Sequence, residues 1–155
     1  HPVTEAVTGV DLVREQLLIA STGSMSVRQE DIEFKGHAIE CRINAEDPHN
    51  NFFPSPGVIS VLDWFEGEGV RIDAGVEAGS TVSPYYDSML AKLIVHKDTR
   101  EAAIEGALEA LYGTRIEGVK TTIPVLKKLL DRLEFSAVKH HSKFIETVDN
   151  LMESK

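Results

Sequence analysis

The sequence HAIECRINAEDP, residues 37–48, alternates between apolar and polar side chains. The apolar residues hold the odd positions, while Glu40, Arg42 and Asn44 hold even ones. Successive side chains of a strand point to opposite faces, so the pattern predicts a strand with one buried face and one polar face. Pro48 has no N–H to donate to a neighbouring strand and ends it. Alternation alone does not separate a binding face from a solvated one, because both present polar residues outward.

The composition favours one soluble globular domain. The chain has 155 residues, of which 42% are hydrophobic and 26% charged, and this is enough for a real core. The formal net charge of -9 argues against a nucleic-acid or anionic-membrane partner, which would require a basic patch. The sequence has no apolar run as long as a membrane span and nothing that resembles a signal peptide. We therefore expect a reducing, cytoplasmic location.

The single cysteine, Cys41, lies on the apolar face of the predicted strand. It has no partner for a disulfide within the chain, and we predict a small buried hydrophobe rather than a reactive thiol. His140 and His141 are adjacent and would point in different directions on a helix, so no metal site is predicted. The chain begins at His1 without a methionine, and we expect a fragment, a processed chain or a proteolytic product.

Before residue 37, the sequence predicts an extended lead-in, a helix, a linker and a short strand. Residues 1–5 are expected to be extended, because Pro2 disfavours a helical residue before it. The helix begins after a cap at Thr8 or Asp11 and ends at Gly23. Its predicted inward stripe is Val10, Val13, Leu17 and Ala20. A polar linker at 26–31 and a short strand at 32–35 follow.

Beyond residue 48, the patterns predict strands first and helices afterwards. Residues 58–65 and 70–73 form a predicted β-hairpin around the turn 66–69, and 89–97 is a further strand. The first later element is a helix capped by Asp98 or Thr99 and stopped by Gly113, followed by a short strand at 116–120. The next helix is capped by Thr121 or Thr122 and has Pro124 in its first turn; its predicted inward residues are Ile123, Leu126, Leu130 and Leu133. A last helix is predicted over 142–152. This order predicts an α+β fold, a mainly antiparallel sheet flanked by helices.

Three stretches contain residues suited to chemistry. On the polar face of the opening strand, Arg42 offers a planar fork of donors to an anion, and Glu40 could hold its rotamer. The alternative is a surface salt bridge worth about 0–1 kcal/mol. The run Tyr85-Tyr86-Asp87-Ser88 suits the rim of a pocket, or else a tyrosine pair packed on the core with Asp87 ending a turn. The third stretch is residues 1–5. It begins with His1, and a histidine at the start of a chain is usually exposed.

Together these stretches resemble one family. The matching segments are HPVTE at 1–5, TGVDLV at 8–13, EQL at 15–17, GHAIECRINAEDP at 36–48, PSPG at 54–57 and PYYDSMLAKL at 84–93. In this order and spacing they resemble the C-terminal part of biotin carboxylase, the biotin-carboxylating unit of acetyl-CoA, propionyl-CoA and pyruvate carboxylases. The resemblance covers nearly the whole chain and fades after about Leu111.

The resemblance implies an ATP-grasp enzyme that uses MgATP and bicarbonate to make carboxyphosphate, whose CO2 is transferred to N1 of biotin on a carrier domain. Arg42 matches the family arginine that stabilises the enolate form of biotin. A fixed cation near a developing oxyanion lowers a barrier, which agrees with that role. Asp87 and Tyr86 match a segment that lines the same region, and Glu40 is expected to position Arg42 or to pack beside it.

The resemblance also implies that much of the enzyme lies elsewhere. Residues 1–24 match the tail end of the ATP-grasp domain and residues 25–155 the C-terminal domain. In the family, the segment before His1 carries metal-binding acids, an arginine and the bicarbonate-binding glutamate, and the lid over ATP is also missing here. We therefore expect the isolated chain to bind none of ATP, Mg or biotin and to be inactive as a ligase.

The family resemblance implies several partners: the remainder of the biotin carboxylase, the biotin carboxyl carrier domain, the carboxyltransferase and a second copy of the enzyme. Arg71, on the predicted hairpin, matches a dimer-interface arginine, whereas Glu68 stands where some members have an aromatic residue. A competing reading is a dimerisation and scaffold module with no direct catalytic contribution. A different ATP-grasp carboxylate–amine ligase is disfavoured, because such enzymes are not expected to carry the run at residues 40–48.

Overall fold

A computed structural model describes residues 1–148 of the protein. The strands are β1 (His37–Asn44), β2 (Glu46–Asp47), β3 (Phe53–Pro54), β4 (Gly57–Val58), β5 (Val61–Asp63), β6 (Val70–Ala74), β7 (Thr81–Val82), β8 (Met89–Lys97) and β9 (Arg115–Glu117). The α-helices are α1 (Pro2–Thr8), α2 (Leu12–Thr22), α3 (Arg100–Gly113), α4 (Ile123–Leu130), α5 (Leu133–Ser136) and α6 (Phe144–Thr147). The fold is α+β, as predicted.

The central sheet has three antiparallel strands in the order β1-β8-β6. The strands predicted at 37–44 and 89–97 are confirmed as β1 and β8. On one face, Cys41 of β1 lies opposite Leu93 of β8, which in turn lies opposite Ile72 of β6. This face is the core, and helix α3 packs on it. The helix comes close because Gly106 has no side chain: a Cβ there would lie 3.0 Å from a methyl group of Val95.

The other face of the sheet is charged and carries helix α1. In register, Arg42 of β1 lies opposite Lys92 of β8, and Lys92 lies opposite Asp73 of β6. Helix α1 contacts β1 and β8, and Ile94, on this face of β8, is buried. The apolar face therefore builds the core, while the polar face, partly covered by α1, presents the charges.

The predicted hairpin between residues 58–65 and 70–73 is wrong. Strand β5 pairs with β9, whereas β6 pairs with β8 in the central sheet. The reason is packing: Val70 and Ile72 of β6 extend the buried face of the sheet opposite Val95 and Leu93. The predicted strand at 116–120 is shorter and lies at 115–117.

The N-terminal predictions need correction as well. Residues 2–8 form helix α1, because Pro2 occupies the first turn, where no N–H is needed. In α2 the predicted inward residues Val13 and Leu17 are 61% and 67% exposed, whereas Glu15 is buried. Its carboxylate accepts hydrogen bonds from the hydroxyl and N–H of Ser26, and these bonds lower the pKa of Glu15. Asp11 caps this helix, Gly23 ends it, and residues 32–35 are not a strand.

The C-terminal helices follow the predicted caps in part. Thr99 caps α3 by accepting a hydrogen bond from the N–H of Ala102, and Pro124 lies in the first turn of α4. Thr122 precedes α4 but makes no side-chain cap. Leu133 is exposed rather than inward, because α4 ends at Leu130 and a separate helix begins at Leu133. Of the helix predicted at 142–152, α6 covers 144–147, and Leu151 and Met152 lie outside the described residues.

Candidate functional site

Arg42 lies near the end of the polar face of β1. Its Nε donates a hydrogen bond to Oε1 of Glu40 at 3.1 Å. The Arg42 side chain is 63% exposed and that of Glu40 only 13%, so the carboxylate anchors the guanidinium from the protein side. Within residues 1–148, the terminal nitrogens of Arg42 have no hydrogen-bond partner. The predicted pairing of Glu40 with Arg42 is confirmed, and it leaves the outer edge of the guanidinium available to an anion.

The main chain around Arg42 is held by Thr122. The Thr122 hydroxyl donates to the carbonyl oxygen of Arg42 at 3.1 Å and accepts from the N–H of Asn44 at 3.0 Å. The N–H of Thr122 also donates to the carbonyl oxygen of Asn44 at 3.1 Å. The sequence predicted a helix cap at Thr121 or Thr122 and gave no indication of this contact. No local signal identifies it, because the partners lie 78 and 80 residues apart in the chain.

The end of β1 is joined to the loop before β8 by polar side chains. Nδ2 of Asn44 donates to Oε1 of Glu46 and to Oγ of Ser88, each at 3.2 Å. The Ser88 hydroxyl also hydrogen-bonds to Oε1 of Glu46. In the backbone, the N–H of Ala45 donates to the carbonyl oxygen of Ser88 at 2.7 Å. The sequence had put Asn44 on the polar face, but nothing in it indicated that Glu46 and Ser88 would meet there.

The loop itself presents its side chains to solvent. Tyr85 and Tyr86 are 88% and 85% exposed, so the alternative of a tyrosine pair packed on the core is wrong. Oδ1 of Asp87 accepts a hydrogen bond from the N–H of Met89 at 2.8 Å, which turns the chain into β8. No hydrogen bond or ion pair joins Arg42 to Tyr86 or Asp87 in the described part of the chain. The loop and Arg42 are instead connected through Ser88 and Asn44.

Arg71 lies on the same sheet face as Arg42, two strands away. Its guanidinium donates to both oxygens of Asp73, at 2.8 and 2.6 Å, and lies 3.5 Å from a carboxylate oxygen of Glu5 on α1. The bond to Asp73 raises the pKa of Arg71. Glu5 also accepts a hydrogen bond from the N–H of Leu12, which brings the N-terminal helices to this end of the sheet. Arg71 is thus placed on a sheet strand, half-exposed, and not on a hairpin.

Two cavities flank the charged face. One, of about 580 Å³, is lined by Arg42, Asn44 and Glu46 on one side and by Phe52 and residues of α4 on another. A larger one, of about 940 Å³, lies between the N-terminal helices and the strands that carry Arg71 and Lys92. Arg42 is among the residues that line the smaller cavity, which combines polar and apolar walls. These properties are typical of a small-ligand site.

Other site chemistries find little support among the described residues. No group of three or more His, Cys, Asp or Glu side chains in residues 1–148 is placed to hold a metal ion. Within the same range, no helix has the length and apolar character needed to cross a membrane. Cys41 is buried, as predicted, and burial raises the pKa of its thiol to about 12. The site therefore offers a guanidinium, amides, hydroxyls and carboxylates.

Comparison with known proteins places this geometry in a family. A family model for the biotin carboxylase C-terminal domain matches residues 40–147. The chain is 50% identical over 149 residues to biotin carboxylase 1 of Bacillus subtilis, and this match covers 96% of this chain and 33% of the relative. It is 56% identical over 135 residues to the biotin carboxylase of Haemophilus influenzae, and this match covers 87% of this chain and 30% of the relative.

Solved structures agree with the sequence comparison. The biotin carboxylase domain dimer of the Hydrogenobacter thermophilus 2-oxoglutarate carboxylase, in complex with MgADP, ADP and bicarbonate, matches with a TM-score of 0.95 and 41% identity. The match covers 100% of this chain and 34% of that chain. The chain thus spans about a third of the length of its relatives. The resemblance inferred from the sequence is confirmed: the chain belongs to the biotin carboxylase C-terminal domain family.

Proposed function

We propose that this chain supplies Arg42 to the ATP- and bicarbonate-dependent carboxylation of carrier-bound biotin, as the C-terminal part of a biotin carboxylase. The observation that carries the proposal is the state of the Arg42 guanidinium, which Glu40 anchors through Nε and whose terminal nitrogens bond to none of the residues that the structure describes. Arg42 also lines a cavity of about 580 Å³, which lies within the size range of small-ligand sites. The membership of the family supports the reaction class.

The chemistry of Arg42 follows from its charge. Carboxylation of a ureido nitrogen requires that nitrogen to lose its proton, and the negative charge then rests largely on the ureido oxygen. A guanidinium within hydrogen-bond distance of that oxygen stabilises the charge, and it does so with little reorganisation because Glu40 already fixes its rotamer. Tyr86 and Asp87 are proposed to support the binding of biotin from the neighbouring loop.

ATP and Mg are proposed to bind to the part of the enzyme that the relatives contain and this chain does not span. We assign residues 1–24 to the end of the ATP-grasp domain and residues 25–155 to the C-terminal domain. The proposed partners are the rest of the carboxylase, the biotin carboxyl carrier domain and the carboxyltransferase, in the cytoplasm. Arg71 stays a predicted dimer-interface residue, supported by the description of one structural relative as a domain dimer.

The test is an Arg42→Ala substitution in the full-length carboxylase that carries this segment. We expect the rate of biotin carboxylation to fall by about 100-fold or more, with ATP binding unchanged, because one charge-stabilising donor group is lost. Arg28→Ala is the matched control: Arg28 is also an exposed arginine, and it pairs with Asp31, outside the strands of the sheet. An unchanged carboxylation rate in Arg42→Ala would favour the scaffold alternative.

The isolated chain gives a second test. We expect no bicarbonate-dependent ATP hydrolysis and no carboxylation of free biotin from residues 1–155 alone, since the proposed ATP-binding residues lie elsewhere. Bicarbonate-dependent ATP hydrolysis by the purified chain would contradict this expectation.

A further inference from the structure

We propose that Ser88 is a positioning residue, which holds the loop that carries Tyr86 and Asp87 in one placement against the strand that carries Arg42. It does so through a triangle of hydrogen bonds with Asn44 and Glu46. The proposal rests on the proposed function, because the loop and Arg42 must face the same substrate for the placement to matter.

The first supporting observation is an irregularity in the sheet. Strands β1 and β8 are in continuous register up to Ile43, which lies opposite Ala91, but Asn44 lies opposite Met89. The extra residue on β8 forms a bulge, and bulges re-aim side chains at the place where pairing ends. Beyond it, the chains are reconnected by the hydrogen bond from the N–H of Ala45 to the carbonyl oxygen of Ser88. Ser88, the loop residue directly before β8, is therefore hydrogen-bonded to the chain that leaves β1.

The second observation is the chemistry of the triangle. A serine hydroxyl has one donor and two acceptor sites. Here it accepts from Nδ2 of Asn44 and donates to Oε1 of Glu46, and Nδ2 of Asn44 donates to the same carboxylate oxygen. All three side chains are half-buried, so each hydrogen bond also offsets the cost of removing a polar group from water. An alanine at position 88 removes both contacts of the hydroxyl at once.

The third observation is that, among the described residues, the rest of the loop has no comparable link to β1 or β2. Its other side-chain hydrogen bonds run within the loop or into β8: the N–H of Tyr85 donates to Oγ of Ser83, and the N–H of Met89 donates to Asp87. Tyr85 and Tyr86 are largely exposed. Within residues 1–148, Ser88 is the residue of the run at 85–88 whose side chain reaches β1 and β2. The placement of Asp87 consequently follows that of Ser88.

The experiment uses the full-length carboxylase with Ser88→Ala, and Ser88→Thr as the conservative variant that keeps the hydroxyl. We expect kcat/KM for biotin to fall about tenfold in Ser88→Ala and to recover to within about threefold in Ser88→Thr, as the two hydrogen bonds of the hydroxyl are lost and regained. Bicarbonate-dependent ATP hydrolysis measured without biotin should stay unchanged, because Ser88 acts only on the placement of the loop. Ser83→Ala, which removes a hydroxyl that bonds only within the loop, should behave as the unmodified enzyme.

Several outcomes would overturn the proposal. An unchanged kcat/KM for biotin in Ser88→Ala, or an equal fall in biotin-independent ATP hydrolysis, contradicts a positioning role. So does a Ser88→Thr variant as impaired as Ser88→Ala. If Ser88→Ala fails to fold, Glu46→Gln decides: it keeps an oxygen acceptor but loses the charge, so kcat/KM for biotin should fall about threefold, and no change overturns the proposal.

The two proposals fail in distinguishable ways. If Arg42→Ala carboxylates biotin normally, the proposed function is wrong, whatever Ser88 does. If Arg42→Ala is impaired while Ser88→Ala is not, the proposed function stands and only the positioning role of Ser88 is wrong.

Discussion

Replacing Thr122 by valine removes a hydroxyl from the outer edge of β1 and leaves the branched shape of the side chain almost unchanged. Thr122 is buried, and its hydroxyl bridges the carbonyl oxygen of Arg42 and the N–H of Asn44. The substitution therefore deletes these hydrogen bonds without opening a cavity. Helix α4 should begin as before, because this hydroxyl does not cap it.

The expected magnitude follows from the bonds that are lost. A neutral hydrogen bond contributes about 0.5–1.5 kcal/mol net, and a buried partner left unsatisfied costs about 1–3 kcal/mol. Because Asn44 is only half-buried, water can satisfy part of what the hydroxyl leaves behind. We expect the free energy of unfolding to fall by about 2–3 kcal/mol, which lowers the melting temperature of a chain of this size by about 5–10 °C.

The assay is thermal and urea unfolding of the chain followed by circular dichroism. Thr121→Val is the matched control, since it makes the same change one residue earlier, where the described structure gives the hydroxyl no hydrogen bond; it should cost less than about 0.5 kcal/mol. Thr122→Ser keeps the hydroxyl and should lie between the control and Thr122→Val. If Thr122→Val and Thr121→Val unfold at the same temperature, the hydroxyl does not hold the edge of β1.

Three further predictions concern the core, the thiol and one carboxylate. Leu93→Ala should lower the free energy of unfolding by about 2–5 kcal/mol in urea titrations, because Leu93 is fully buried, whereas Leu133→Ala, at an exposed position, should change it by less than about 0.5 kcal/mol. Cys41 should resist iodoacetamide at about pH 8 until the chain is unfolded, because a thiol pKa of about 12 leaves it neutral and burial blocks access. Glu15→Gln should weaken the pH dependence of the melting temperature: hydrogen bonds from Ser26 hold the pKa of Glu15 below its ordinary 4.5, so its contribution is full above that pH and is lost as the pH falls further.

Each of these has a result that contradicts it. Equal effects of Leu93→Ala and Leu133→Ala would mean that Leu93 is not in a packed core. Modification of Cys41 in the folded chain at the rate of a free thiol would contradict its burial. A Glu15→Gln variant whose melting temperature falls as steeply as that of the unmodified chain between about pH 5 and about pH 3 would show that the contact with Ser26 does not favour the ionised carboxylate.

The parts of the fold that could be predicted are those with a local cause. The alternation in β1 and the apolar run of β8 set their own secondary structure, and Thr99 caps α3 through a contact with a residue close in sequence. The pairing of β6 with β8 could not be predicted, because the turn signal at residues 66–69 favours a local hairpin. Strand β6 instead pairs beside Val95 and Leu93, which are distant from it in sequence. In α2, the apolar stripe predicted an inward Val13, but Val13 is exposed and the buried position is held by Glu15, whose carboxylate hydrogen-bonds to Ser26 eleven residues further along the chain.

The candidate site shows the same division. Arg42 and its partner Glu40 are two residues apart on one strand face, so their pairing follows from the period of a strand. The roles of Thr122 and Ser88 depend on contacts with residues 42–80 positions away, and their types are compatible with caps and turns as well. Sequence patterns therefore identify the charged group, while the residues that fix its surroundings emerge only from the fold.

The position of β1 at the margin of the central sheet has one more consequence. An unpaired margin offers N–H and C=O groups to strands of other molecules, and such pairing starts aggregation. Along Arg42 to Asn44, Thr122 already bonds the carbonyl oxygen of Arg42 and both main-chain groups of Asn44, so an incoming strand cannot use these three groups without displacing Thr122. The residue that holds the main chain of Arg42 thereby also helps to keep separate copies of the chain from joining edge to edge.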